Sequence, residues 1–143
     1  MAEFSIEGMD DLIKAMQQAD LFDEETQTEL LQAGTAQVRD LIQEEAGRAP
    51  YNLKFLSSKL TKQKKIKKDK NGNYYMTVSV SGKNERGERN ATVAFVLNYG
   101  RREEYGKIEG SYYWTRAVRR ADNSLVPVYE KIISKKLQER GLV

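Results

Sequence analysis

The sequence predicts an α+β fold: a three-stranded antiparallel β-meander packed against a long N-terminal helix and a C-terminal helix. Three observations predict it. Apolar residues recur at helical spacing through the first third of the chain and again after residue 112. Between these regions, residues 73–81 alternate apolar and polar, as a half-buried strand does. Turn-forming stretches rich in Gly and Asn separate the middle segments. The 143 residues fit one domain, 1–143, with enough chain to bury a modest core.

Taken in order, residues 4–6 are expected to form an extended lead-in that Gly8 ends. Met9, Leu12, Ile13 and Met16 make one apolar stripe, so a short helix is expected over about 9–18. Asp20 and Asp23 stand where N-caps belong, and Glu24 and Glu25 complement the dipole of a long helix over about 24–47. Its stripe is Leu30, Leu31, Gly34, Val38, Leu41 and Ile42. Gly34 is disfavoured in mid-helix by up to about 1 kcal/mol relative to alanine, which points to close packing at that position. Gly47 is the expected C′ residue, with Pro50 blocking continuation. Leu53, Leu56 and Leu60 suggest a brief helical turn.

The pattern then changes. Strands are expected at about 61–68, 73–81 and 91–97. The first two join through Asp69-Lys70-Asn71-Gly72, where Asn-Gly suits a type I′ hairpin. The third is apolar on both faces and is read as covered on both. Trp114, Val118, Ala121, Leu125, Val128 and Ile132 keep helical phase across Pro127. This predicts one kinked helix, or two collinear ones with the break at Asp122-Asn123-Ser124, closed by Gly141.

The chain has no histidine and no cysteine. The commonest general base, the commonest metal ligand and any disulfide framework are thereby removed. The adjacent carboxylates Asp10-Asp11, Glu24-Glu25 and Glu44-Glu45 do not converge on one substrate from neighbouring helix positions. The expectation is a protein that is not an enzyme, with no cofactor, no metal and no small-molecule substrate. Nothing at the N-terminus resembles a signal peptide and no segment could span a membrane, so a cytoplasmic site of synthesis and no membrane partner are expected.

Charge is unevenly distributed. Residues 1–47 hold twelve acids against Lys14 and Arg39, so with a net charge of +3 the remainder is strongly basic. Eight lysines lie between Lys54 and Lys70 with Asp69 as the one acid. Of these, Lys62, Lys64, Lys65, Lys67 and Lys68 are candidate interface or DNA-proximal residues. A basic hairpin follows a phosphate backbone without reading sequence, and Tyr74 and Tyr75 beside it could stack on bases. The competing reading is an edge strand kept from aggregating by its lysines. Arg101 and Arg102, in Arg101-Arg102-Glu103-Glu104, are candidates for ion pairs between subunits, against the plainer reading of a self-compensating loop. The dense aromatics Tyr112-Tyr113-Trp114 read mainly as core, with Tyr112 or Tyr113 left over as an interface anchor.

One further pattern lies in the order of short motifs. Ile6-Glu7-Gly8-Met9-Asp10-Asp11-Leu12 leads into the first helix, and the long helix ends in Ala49-Pro50. A leucine- and serine-containing segment, 53–58, precedes the strand region, which ends in Asn98-Tyr99-Gly100. Tyr113-Trp114-Thr115-Arg116-Ala117 opens the final helix. This order resembles the tail-completion (head–tail joining, or neck) proteins of long-tailed bacteriophages and prophages, over nearly the whole chain. Tyr51-Asn52 stands where that family usually has Thr-Gly.

The resemblance implies an α+β subunit, often monomeric when free, that assembles into a homo-oligomeric ring, commonly a hexamer. The ring lies between the head connector and the tail tube or terminator, with DNA passing through its lumen. It implies residence in the host cytoplasm during assembly and then in the virion neck. The expected contact with DNA is weak and non-specific. The alternative function is a small non-specific nucleic-acid-binding protein.

Overall fold

The computed structural model describes residues 23–62, 66–72, 74–139 and 141. The expected helix over 9–18 and the lead-in at 4–6 lie outside the described residues. The architecture is α+β, with two long helices and three short antiparallel two-stranded sheets.

Helix α1, Glu24–Arg48, begins at Asp23, whose carboxylate accepts from the Thr26 amide at 2.9 Å as an N-cap. Gly47 does not end it, contrary to expectation. The helix runs one residue past Gly47, and Ala49 turns extended at φ −73°, ψ 151°. The cause is Pro50, which disfavours the α region for the residue before it. Helix α4, Tyr113–Glu139, runs continuously with Pro127 inside it. Residues 122–124 are helical, so the expected break there is absent. Solvent exposure of Pro127 lets the helix tolerate the missing hydrogen bond.

These two helices lie antiparallel. The C-terminal Glu45 of α1 meets Arg116 and Arg120, Gly34 meets Tyr129, and Glu29 meets Lys136. Small residues make the approach possible. Ala46, Ala117 and Ala121 are buried at the seam, and a Cβ on Gly34 would stand 2.5 Å from the Tyr129 hydroxyl oxygen. Val38, Leu41, Ile42, Leu53, Leu56, Leu60 and Leu125 complete the core with Tyr113. Each large aliphatic side chain buried there contributes roughly 1.5–3 kcal/mol.

After α1 come helix α2, Leu56–Lys59, and strand β1, Leu60–Lys62. Strands β2, Lys67–Lys68, and β3, Tyr74–Tyr75, pair with each other, and β4, Val78–Val80, returns to pair with β1. Together they make one antiparallel arm, its two halves in separate ladders. At its tip the Gly72 amide donates to the Asp69 carbonyl at 3.1 Å, and Gly72 has φ +83°. A type I′ turn needs positive φ at both central residues, and Asn71 does not have it. The turn is the type I form with glycine last.

The largest correction concerns residues 91–97. They form helix α3, Asn90–Tyr99, and not a third strand, so there is no three-stranded meander among the described residues. A short apolar run cannot be assigned to strand or buried helix by periodicity alone. What decides here is the four-residue spacing of Asn90, Ala94 and Asn98, all buried. Beyond α3, strands β5, Gly100–Arg101, and β6, Ile108–Glu109, form a small ribbon around a 3-10 turn at Glu103–Tyr105. Gly100 and Gly110 are required there: a Cβ on either would sit within 3 Å of the opposing backbone.

Candidate interaction surfaces

The candidate residues fall on two separate structures. On the arm, Lys62 is half-buried on β1 opposite Val78, while Lys67 and Lys68 are exposed on β2. Lys64 and Lys65 lie outside the described residues. Directly opposed residues of an antiparallel pair share a face, so Lys68 and Tyr74 stand on one side and Lys67 and Tyr75 on the other. The Lys68 ammonium lies 5.3 Å from the Tyr74 ring centre, within cation–π range. Arg101 and Arg102 are exposed on the β5–β6 ribbon, away from the arm in sequence and in sheet. Arg101 donates from Nε to the Gly106 carbonyl at 2.7 Å. Salt bridges among the described residues include none of Arg101, Arg102, Glu103 and Glu104.

The charges of the two long helices, by contrast, meet inside one chain. The Glu45 side chain is only 5 % exposed and receives Arg116 Nε at 3.0 Å and Arg120 Nη1 at 3.1 Å. Arg120 also reaches Glu44 at 3.2 Å, and Arg48 reaches Glu44 at 3.0 Å. The Arg116 guanidinium holds the Glu45 carboxyl below the usual carboxylate range, against the opposing pull of burial, with Arg120 adding to it. At the other end, Lys136 meets Glu29 at 3.1 Å and Glu25 at 3.5 Å, and the hydrogen bond to Glu29 raises its pKa. Much of the acidic excess of α1 is thus neutralised by α4.

A third surface was not legible as such. Phe95 and Tyr99 on α3, with Tyr112 just before α4, are 61 %, 53 % and 50 % exposed. The Phe95 and Tyr99 rings lie 4.8 Å apart, and Tyr99 meets Tyr112 edge-on at 6.3 Å. Tyr112 has φ 56°, the left-handed region that bulky residues avoid. It is held there by its amide donating to the Asn98 carbonyl at 2.9 Å and its own carbonyl accepting from the Arg116 amide at 2.9 Å. Reading 91–97 as a strand covered on both faces hid this cluster. The signal that could have found it is Phe95 and Tyr99 at i, i+4, one aromatic stripe on a helix.

An open hollow of about 450 Å³ lies beyond the end of α1, lined by Gln43, Tyr51, Asn52, Leu53, Lys54 and Ser57. Among the described residues no three acids form a cluster able to hold a metal ion, and no helix is long and apolar enough to cross a membrane. The chain matches no protein-family model, no curated protein and no solved structure with which it was compared.

Proposed function

We propose that the chain is a structural protein of a long-tailed bacteriophage or prophage. It joins the head connector to the tail by assembling, in several copies, into a ring around the DNA channel, and it does no catalysis. The observation that carries this reading is the aromatic cluster of Phe95, Tyr99 and Tyr112. Clustered exposed aromatics are the composition of protein–protein contacts, where they supply most of the binding energy. A left-handed tyrosine costs roughly 1–3 kcal/mol, a strain characteristic of sites kept for function. The motifs on which the family resemblance rests, Asn98-Tyr99-Gly100 and Tyr113 to Ala117, frame this cluster in the chain.

The cluster contacts a second copy of the chain, and Arg101 and Arg102 on the neighbouring ribbon set its orientation. Because α1 and α4 spend their charges on each other, the contact between copies is aromatic at its centre. The head connector and the tail tube or terminator meet the two faces of the ring. The protein resides in the host cytoplasm until assembly and then in the neck. Deleting the gene tests this. Electron micrographs of the lysate are expected to show DNA-filled heads and complete tails that are not attached to one another. Normally joined particles would refute the reading.

A further inference from the structure

The arm carries a run of positive charge. Among the described residues its lysines, Lys62, Lys67, Lys68 and Lys70, form no salt bridge with an acid, whereas the cations facing α1 across the helix pair, Arg116, Arg120 and Lys136, are all engaged with acids. Lys67, Lys68 and Lys70 are exposed, and Asp69 is the one acid between Lys54 and Lys70. These lysines also occupy both faces of the ribbon and its turn, where guarding a strand edge against pairing would need only one or two of them.

The chemistry of the arm selects its partner. Lysine is depleted from the centres of protein–protein contacts, and the arm offers no exposed large apolar side chain to anchor one; those are Phe95, Tyr99, Tyr105 and Tyr112, all outside it. A row of compact ammonium charges suits a regularly spaced row of phosphates, where each contact releases a condensed counterion. Lys68 lies over the Tyr74 ring and Lys67 stands opposite Tyr75 in the register, so a lysine and a tyrosine share each face of the ribbon.

We propose that the arm carrying Lys62, Lys67, Lys68 and Lys70 binds the phosphate backbone of duplex DNA without sequence preference. This goes beyond the joining role, because it is a property of the isolated chain whether or not it assembles. The contact is electrostatic and therefore weak at physiological salt, as suits a protein past which DNA must move.

The test is fluorescence anisotropy of a labelled duplex of mixed sequence, titrated with the intact protein at several salt concentrations. Saturable binding at about 50 mM salt is expected, weakening steeply as salt rises, by about 0.9 in the logarithmic slope per phosphate contact. Replacing Lys62, Lys67, Lys68 and Lys70 together by Gln is expected to reduce that slope by about 3–4 and affinity at least tenfold. The pair Lys131→Gln and Lys135→Gln, exposed on α4, is the control and leaves both unchanged. Thermal melting checks that each variant is folded. No binding at low salt, binding indifferent to the four substitutions, or equal binding of polyglutamate through the same lysines would each overturn the proposal, the last assigning the arm to an acidic protein. The joining role fails separately, by the micrographs of the deletion lysate.

Discussion

The Asn98 carboxamide oxygen accepts the Trp114 amide at 2.9 Å and so caps helix α4 from the last turn of α3. The same oxygen receives the Thr115 amide at 3.3 Å, and Asn98 Nδ2 donates to the Thr115 hydroxyl at 3.0 Å. The side chain is 2 % exposed, so water does not compete. A cap that ordinarily comes from the preceding residue is here supplied from sixteen residues upstream, which locks α3, the β5–β6 ribbon and α4 into one unit.

Asn98→Ala removes the cap and leaves two part-buried amides without their acceptor. It is expected to lower stability by about 2–3 kcal/mol, read as a lower urea midpoint at unchanged slope. Asn98→Asp keeps the acceptor and is expected to recover much of that loss.

Gly34→Ala reverses the usual rule. In an exposed helix this change stabilises by up to about 1 kcal/mol, but here the new methyl would meet the Tyr129 hydroxyl oxygen at 2.5 Å. A destabilisation of about 1–3 kcal/mol is expected from overpacking. Adding Tyr129→Phe removes that oxygen, and the double mutant should recover part of the loss in thermal unfolding.

Glu45 makes stability depend on pH. Its carboxyl is held below the 4.5 of an unperturbed glutamate, mainly by Arg116. A lowered folded-state pKa means that the stabilisation is full above about pH 4.5 and is lost as pH falls through the lower folded value. Glu45→Gln is expected to destabilise at pH 7 by about 1–3 kcal/mol, since Arg116 and Arg120 lose their buried partner but keep access to solvent. It should also flatten the fall in stability below pH 4.5 seen in the parent chain, measured by urea unfolding across that range.

Tyr112→Gly separates stability from assembly. Relief of the left-handed strain offsets loss of the edge contact with Tyr99, so stability is expected to stay level or rise by up to about 1 kcal/mol. Self-association of the purified protein, measured by native mass spectrometry, is expected to weaken at least tenfold. A variant that unfolds would show that the tyrosine serves the fold instead.

Much of the helical framework could be read from residue spacing. The stripe of α1 ran through Gly34, Val38, Leu41 and Ile42 as expected, and the Asp23 cap stood at its start. Helix α4 was expected, but its buried line is Tyr113, Ala117, Ala121, Leu125 and Ile133, mostly one position off the large residues that suggested it. Small alanines at the seam carry little signal in a hydrophobic pattern. Glu45 was read only as one of an adjacent carboxylate pair that does not converge on a substrate, although it continues the stripe of Leu41 and Ile42 inward. Helix α3 was lost because its apolar run is short and its buried face is held by two asparagines, a polar signature that points to loop or turn. The lysine arm was legible as a basic hairpin. That the described acids of α1 pair with α4 and not with the arm was not, since such pairing is a matter of tertiary contact.

The proposed joining role is open to direct inspection by cryo-electron microscopy of the assembled phage particle. A ring of copies at the head–tail junction is expected, with Phe95, Tyr99 and Tyr112 of each copy against its neighbour. Density for the chain elsewhere in the particle, or a complete neck in which it has no place, would contradict it.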